Sequence, residues 1–309
     1  MHKFIDLFSG IGGFRLGFQR KNTKCVFSSE IDKWARLTYK LNFKEEPLGD
    51  IRKIKKIPNH DILLAGFPCQ SFSTAGNKKG IHDVRGTLFY EIVRILRAKK
   101  PKAFLLENVK GLLFNFNKDS LDIILTLLKE SGYYIHLKIM SPEKYANIPQ
   151  FRERVFIVGF RNKFHFEFPC QIPLTKKLSD FIDTDKKEEK YYLNKCPHYP
   201  ILKKEITKTN TIYQWRRTYV RKRGKGLCHT LTANMGKGGY NTPIIKDKYG
   251  IRKLTPRECF RLQGFPESFK FPDIKDYHLY SQIGNSVCVP IVKIIAKEIK
   301  FHLSKGRKK

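Results

Sequence analysis

Short apolar runs alternate with amphipathic stretches along the first half of the chain. Lys3–Phe8, Lys24–Ser29, Asp61–Ala65 and Lys102–Leu106 are dense in Ile, Leu, Val and Phe without strict alternation, which predicts strands buried on both faces. Helices are expected from the Gly10–Gly13 turn to about Arg20, over Lys33–Leu41, over Thr87–Ala98 and over Asp119–Ser131. Tyr133–Met140 and Arg154–Phe160 read as a closing pair of strands. This alternation predicts an α/β fold with a doubly wound, mostly parallel sheet. Such sheets hold their ligands beyond the carboxyl ends of the strands. From Asn162 the pattern decays into charged segments punctuated by Pro169, Pro173, Pro197 and Pro200, so a second, smaller and irregular domain is expected there. Pro290–Leu303 returns to helical spacing, with Ile291, Ile294, Ile295 and Ile299 on one face.

The length of 309 residues and an apolar content of 41% suit about two soluble domains. A first domain over 1–176, completed by 273–309, and a second over 177–272 are expected. Neither an apolar run of membrane-spanning length nor a signal-peptide pattern is expected from the sequence, so no membrane is expected and a cytoplasmic protein is. The seven cysteines are dispersed without a Cys-x-x-Cys pair, and Cys196 with His198 lacks companions at ligand spacing, so no metal is expected. The net charge of +33 changes the picture more, because it calls for a polyanionic partner. Between Lys203 and Lys225 stand nine Lys or Arg and one acid, Glu205. Tyr213, Trp215 and Tyr219 are interleaved there with Arg216, Arg217, Arg221 and Arg223, as on a nucleic-acid surface.

Candidate chemistry gathers at the predicted strand ends. Gly66-Phe67-Pro68-Cys69-Gln70-Ser71-Phe72-Ser73 follows the third strand, and Glu107-Asn108-Val109 follows the fourth. A thiolate and a carboxyl group facing one pocket suit nucleophilic addition assisted by proton donation. Ser9-Gly10-Ile11-Gly12-Gly13 lets the backbone pass close to a ligand, and Glu30 ends the second strand where ribose hydroxyls would lie. By geometry alone that is also consistent with a dinucleotide site.

In order along the chain, Asp6-Leu7-Phe8-Ser9-Gly10-Ile11-Gly12-Gly13-Phe14, Glu30, Gly49-Asp50-Ile51, Pro68-Cys69, Gln150-Phe151-Arg152-Glu153-Arg154, Thr255-Pro256-Arg257-Glu258 and Gln282-Ile283-Gly284-Asn285-Ser286-Val287 resemble the cytosine-C5 DNA methyltransferase family of bacterial restriction–modification systems. The resemblance covers nearly the whole chain apart from about Asn162 to Lys253. It implies the S-adenosylmethionine-dependent methyltransferase fold and methyl transfer to C5 of a cytosine flipped out of duplex DNA. Cys69 would attack C6, Glu107 would protonate N3, and Arg152 and Arg154, taken to alternate on a strand starting at Phe151, would meet O2 and its surroundings. Phe8, Gly10, Ile11, Gly12, Gly13, Glu30, Ile31, Asp50, Ile51, Pro68 and Leu88 would line the S-adenosyl-L-methionine pocket, closed by Asn285, Ser286 and Val287. Gln70, Ser73, Lys78 and Lys79 in the loop after Cys69, with Arg216, Arg217, Arg221, Arg223, Thr230, Asn234, Lys237 and Tyr240, would contact double-stranded DNA. A monomer in the cytoplasm of a bacterium, associated with the nucleoid, is implied, and a companion restriction endonuclease acting on the same site is allowed. An RNA-directed relative would carry Cys-Phe-Thr in the second domain, where this chain has Cys259-Phe260-Arg261. An inactive relative would lack the catalytic set.

Overall fold

The computed structural model describes residues 1–68, 87–114, 118–216, 218–224, 226–235 and 241–305. Two compact units divide the chain. The first comprises 1–140, 153–170 and 289–309, and the second 141–152 and 171–288. The expected boundary at 176/177 thus falls earlier, and 141–152 and 273–288 pack with the second unit.

In the first unit the order is β1 (His2–Leu7), α1 (Gly13–Phe18), β2 (Thr23–Ser29), α2 (Lys33–Phe43), β3 (Ile62–Gly66), α3 (Thr87–Lys99), β4 (Ala103–Val109), α4 (Lys118–Glu130) and β5 (Tyr134–Met140). After α5 (Pro142–Tyr145), which belongs to the second unit, the chain re-enters with β6 (Arg154–Phe160). The sheet runs β2-β1-β3-β4-β6-β5. Its first four strands are parallel, and β6 pairs antiparallel with both β4 and β5. Continuous apolar runs make strands buried on both faces, and Ile62–Ala65 and Ala103–Leu106 are fully buried. Residues of β1, β3, β4 and β6 share one core with Phe89, Ile92 and Leu96 of α3 and Ile124 and Leu128 of α4. The strand order reverses between β1 and β3, which makes the carboxyl ends of β1, β2 and β3 the place for a crevice.

In the second unit follow α6 (Tyr199–Glu205), β7 (Tyr213–Arg216), β8 (Tyr219–Lys222), β9 (Pro243–Asp247), β10 (Gly250–Lys253), α7 (Pro256–Leu262) and α8 (Asp276–Asn285). The expectation of an irregular second domain is corrected by an antiparallel sheet ordered β10-β9-β7-β8. Its strands span only four or five residues, too few for periodicity to declare them. Tyr213 and Trp215 alternate inward and form a small core with Leu202, Ile206, Ile244 and Ile251. They are therefore not displayed among the arginines as expected, whereas Tyr219 is exposed.

The last helix, α9 (Val289–Lys305), returns to the first unit and packs on α1, where Gly17 admits Val292 so closely that a Cβ would strike it. The stretch 276–304 is long and apolar enough to cross a membrane, contrary to the expectation of no such run. Of its most apolar window, 72% is buried inside the protein, as for core helices.

Candidate active site

Glycine and one strained residue shape the turn after β1. Phe8, Gly10 and Gly12 all have positive φ, of 53°, 53° and 86°. A non-glycine residue in that region is a local cost that persists where the surroundings impose it, and such positions cluster at ligand sites. Gly12 has a second constraint, since a Cβ there would collide with the Phe43 ring. Ser9 N–H donates to Ser29 O at 2.9 Å and Gly12 N–H to Ser9 O at 2.8 Å, tying the turn to the end of β2. Glu30 completes the tie. Its Oε2 accepts from Gly10 N–H and its Oε1 from Asp32 N–H, both at 2.8 Å. Burial raises the Glu30 carboxyl above its ordinary range, against these two donors. The remaining lone pairs suit a vicinal diol. The hydroxyls of Ser9 and Ser29 are buried without a hydrogen-bond partner among the described residues, and so are both oxygens of Asp6.

Other residues expected at this pocket divide between surface and core. Ile31 is 68% exposed beside Glu30, an apolar side chain open to a flat partner. Ile11 and Ile51 are core residues, so they can offer a ligand main chain rather than side chain. Gly13 begins α1, and Leu88 is half-buried against the core. Leu48 bridges to Ser29 and delivers Gly49-Asp50 to the same edge. Asp50 caps the turn Ile51–Lys53 by accepting from Arg52 N–H, and it pairs with the Arg52 guanidinium at 2.6 Å. That pair holds the Asp50 carboxyl below the usual range.

Glu107 lies within β4, opposite Gly66 of β3, and its Oε2 is in reach of the Gly66 Cα side. Its Oε1 meets Arg154 Nε at 3.1 Å, with both side chains largely buried. Asn108 donates from Nδ2 to Phe67 O at 3.1 Å, and Phe67 packs on Phe89. The chain is thus held immediately before the exposed Pro68. Cys69, Gln70, Ser73, Lys78 and Lys79 lie outside the described residues.

The expected strand from Phe151 begins instead at Arg154, so Arg152 and Arg154 do not alternate on one strand. Arg154 belongs to the first unit and Arg152 to the second. Arg152 is 3% exposed and donates to main-chain carbonyls, from Nη1 to Leu231 O at 2.7 Å and from Nη2 to Ser286 O at 2.8 Å and Gly284 O at 3.1 Å. The reason is local. The 149–152 segment zips onto 228–230 through Cys228 N–H to Pro149 O, Phe151 N–H to Cys228 O and Thr230 Oγ1–H to Phe151 O. Asn285, Ser286 and Val287 form the end of α8 and the turn after it, also in the second unit.

Of the arginines expected on DNA, Arg216 and Arg221 are exposed, although Arg216 also donates to Asn241 Oδ1 at 2.7 Å. Arg223 stacks over the Phe151 ring at 3.9 Å, which bonds the basic stretch to the Gln150–Arg152 segment. Asn234 is exposed and its Oδ1 accepts from Thr232 Oγ1. Arg217, Lys237 and Tyr240 lie outside the described residues. Two features escaped the sequence reading. Thr255 and Glu258 form a capping box at α7, a spacing that Thr-Pro-x-Glu announces. Glu258 also pairs with the fully buried Arg252 at 2.8 Å, for which no local signal exists.

Comparison with known proteins bears on the family and the fold. Residues 2–301 match the profile described as C-5 cytosine-specific DNA methylase. Type II methyltransferase M.Bsp6I of Bacillus sp. (strain RFL6) is 47% identical over 310 residues, spanning 97% of this chain and 98% of that one. Type II methyltransferase M.HhaI of Haemophilus parahaemolyticus is 39% identical, over 98% of this chain and 95% of its own. Among solved structures, Spodoptera frugiperda DNMT2 superposes with a TM-score of 0.76 at 22% identity, covering 97% of this chain and all of that one. Dnmt2 of S. pombe does so with a TM-score of 0.74 at 20% identity, covering 98% and 99%. At such identities these two speak for the fold.

Proposed function

The chain belongs to the C-5 cytosine-specific DNA methylase family and is a DNA (cytosine-5-)-methyltransferase, and from that premise we propose how its residues divide the work. Cys69 is the nucleophile, on the strength of Pro68-Cys69 following β3 and of the Glu107–Arg154 pair on the adjoining strands. That pair, at 3.1 Å beside Gly66, is the observation that carries the reading.

The cofactor is S-adenosyl-L-methionine, which supplies an electrophilic methyl group on a sulfonium sulfur. The residues fit it. Glu30 offers acceptor lone pairs to the ribose, Ile31 and the half-buried Phe8 offer apolar surface to the adenine, and the hydroxyls of Ser9 and Ser29, without a partner among the described residues, offer polar contacts. Asn285, Ser286 and Val287 are assigned to the methionine side.

Cytosine C5 is a weak nucleophile until the ring is made an enamine. The Cys69 thiolate adds to C6, forming a C–S bond, while Glu107 protonates N3 and takes up the electron density displaced from the ring. Arg154 steadies Glu107 and meets O2. Once C5 carries the methyl group, loss of the C5 proton to a base, return of the N3 proton to Glu107 and cleavage of the C–S bond restore the aromatic ring, the carboxylic acid and the thiolate. The target cytosine must leave the stack first, at a cost of a few kcal/mol. Exposed Arg216, Arg221 and the Thr230–Asn234 turn are assigned to the duplex, with Gln70, Ser73, Lys78, Lys79, Lys237 and Tyr240 by family position. The enzyme is taken to act as a cytoplasmic monomer on nucleoid DNA, and a companion endonuclease acting on the same site is allowed.

Transfer of labelled methyl to duplex DNA, with RNA in parallel, tests the reading. Cys69→Ser should abolish transfer while leaving DNA binding largely intact, because an alkoxide is far harder to form than a thiolate. Duplexes with 5-fluorocytosine at the target should trap the native enzyme covalently. Cys69→Ser turnover within about tenfold of wild type, which is under 1.4 kcal/mol of barrier, would remove Cys69 from its role.

A further inference from the structure

The Thr230–Met235 turn and the end of α8 are built as one clasp. Gly284 packs so closely against the main chain of Thr232 and Ala233 that a Cβ would collide with both. Arg152 spans the same two segments, with one guanidinium nitrogen on Leu231 O and the other on Gly284 O and Ser286 O. Gln263 Nε2 adds bonds to Ile283 O at 3.3 Å and Ser286 O at 3.0 Å, and its Oε1 accepts from Gln150 Nε2 at 3.1 Å. A planar fork serves divergent carbonyls in a way that a lysine ammonium does not. A charge this buried is stable only while such acceptors stay in place, so moving either turn exposes the same penalty. Both turns are thereby held to one arrangement.

We propose that Arg152 is a positioning residue that links DNA binding to cofactor binding. It fixes Thr230–Leu231, in the turn assigned above to the duplex, against Asn285–Ser286, assigned above to the methionine side. The inference rests on those assignments. A ligand that favours the clasped arrangement at one turn favours it at the other, and the linkage must be reciprocal.

The test is a binding cycle on the full chain with S-adenosylhomocysteine, which permits no turnover, and a duplex carrying the enzyme's own site, identified beforehand by mapping methylated cytosines. Each ligand should bind wild type about tenfold or more tightly when the other is present, within the usual range of such couplings. In Arg152→Lys that factor should fall to within about twofold, since the charge survives and the fork does not. A merely structural arginine would weaken each ligand or lower the unfolding midpoint and leave the factor intact. Wild type binding both ligands without linkage, or Arg152→Lys keeping the full factor, overturns the inference. Should Arg152→Lys not fold, Gly284→Ala displaces Thr232 while leaving the guanidinium, and it is read by the same factor with the same outcomes. Wild type that binds neither ligand would count instead against the functional assignments themselves.

Discussion

Glu107 and Asp6 are both carboxyls on strands of one sheet, and their surroundings set them to different tasks. Glu107 is gripped by Arg154 and keeps an oxygen beside Gly66. Glu107→Gln preserves the shape and a hydrogen bond but removes the proton, so single-turnover methyl transfer should slow about a hundredfold or more. Unchanged rates would make Glu107 a part of the strand's packing. Asp6 is fully buried, and burial raises its carboxyl well above the ordinary 3.8, with Arg15 opposing and Glu30 reinforcing the shift. The folded protein therefore holds a proton that the unfolded chain releases. The stability this contributes is fully present below about pH 3.8 and is lost as pH rises through the folded value. Asp6→Asn should gain stability relative to wild type as pH rises, read from denaturant midpoints at a series of pH values. A difference that stays constant with pH would mean that Asp6 is ionised in the fold.

At the scale of elements, the turn after β1 and the start of α7 are specified locally and locked from a distance. Gly12 needs a positive φ, and the Phe43 ring from α2 fills the place of its side chain. Glu258 caps α7 by a rule legible in Thr255–Glu258, yet it is also the buried partner of Arg252 and accepts from Asp183 N–H. Glu258→Ala leaves the guanidinium of Arg252 with Asp247 alone among its described carboxylate partners. The expected loss is about 3–5 kcal/mol of folding free energy, the usual result of halving a buried pair. Equilibrium unfolding measures it, and a loss below about 1 kcal/mol would place the pair among ordinary surface contacts.

For the whole molecule the governing quantity is its charge of +33. If the β7–β8 hairpin faces the phosphates, replacing the exposed Arg216, Arg221 and Lys222 together by Ala should lower the salt slope of non-specific duplex binding by about 2–3, near 0.9 per lost contact. Arg223 is left out because it stacks on Phe151 and its removal would disturb the Gln150–Arg152 segment. An unchanged slope would place the duplex on other surfaces.

Much of this protein is determined by sequence alone. Short apolar runs bounded by turn signals read as strands of a covered sheet, and the apolar pattern marks Arg154–Phe160, although the arginine spacing suggests a start at Phe151. The turn at Gly10 and the strand-end place of Glu30 were legible because glycine spacing and a strand-end acid act over short range. The family was legible because its blocks recur in order. What tertiary structure decided was the fate of like residues in neighbouring positions. Arg152 and Arg154 look interchangeable, yet one pairs with Glu107 and the other reaches carbonyls 79 to 134 residues away along the chain. Tyr213 and Trp215 looked like stacking platforms and became core, because only the pairing of β7 between β8 and β9 settles which face is covered. Local pattern states what a segment can do. Which carbonyl, ring or carboxylate it meets depends on segments brought together only by the fold.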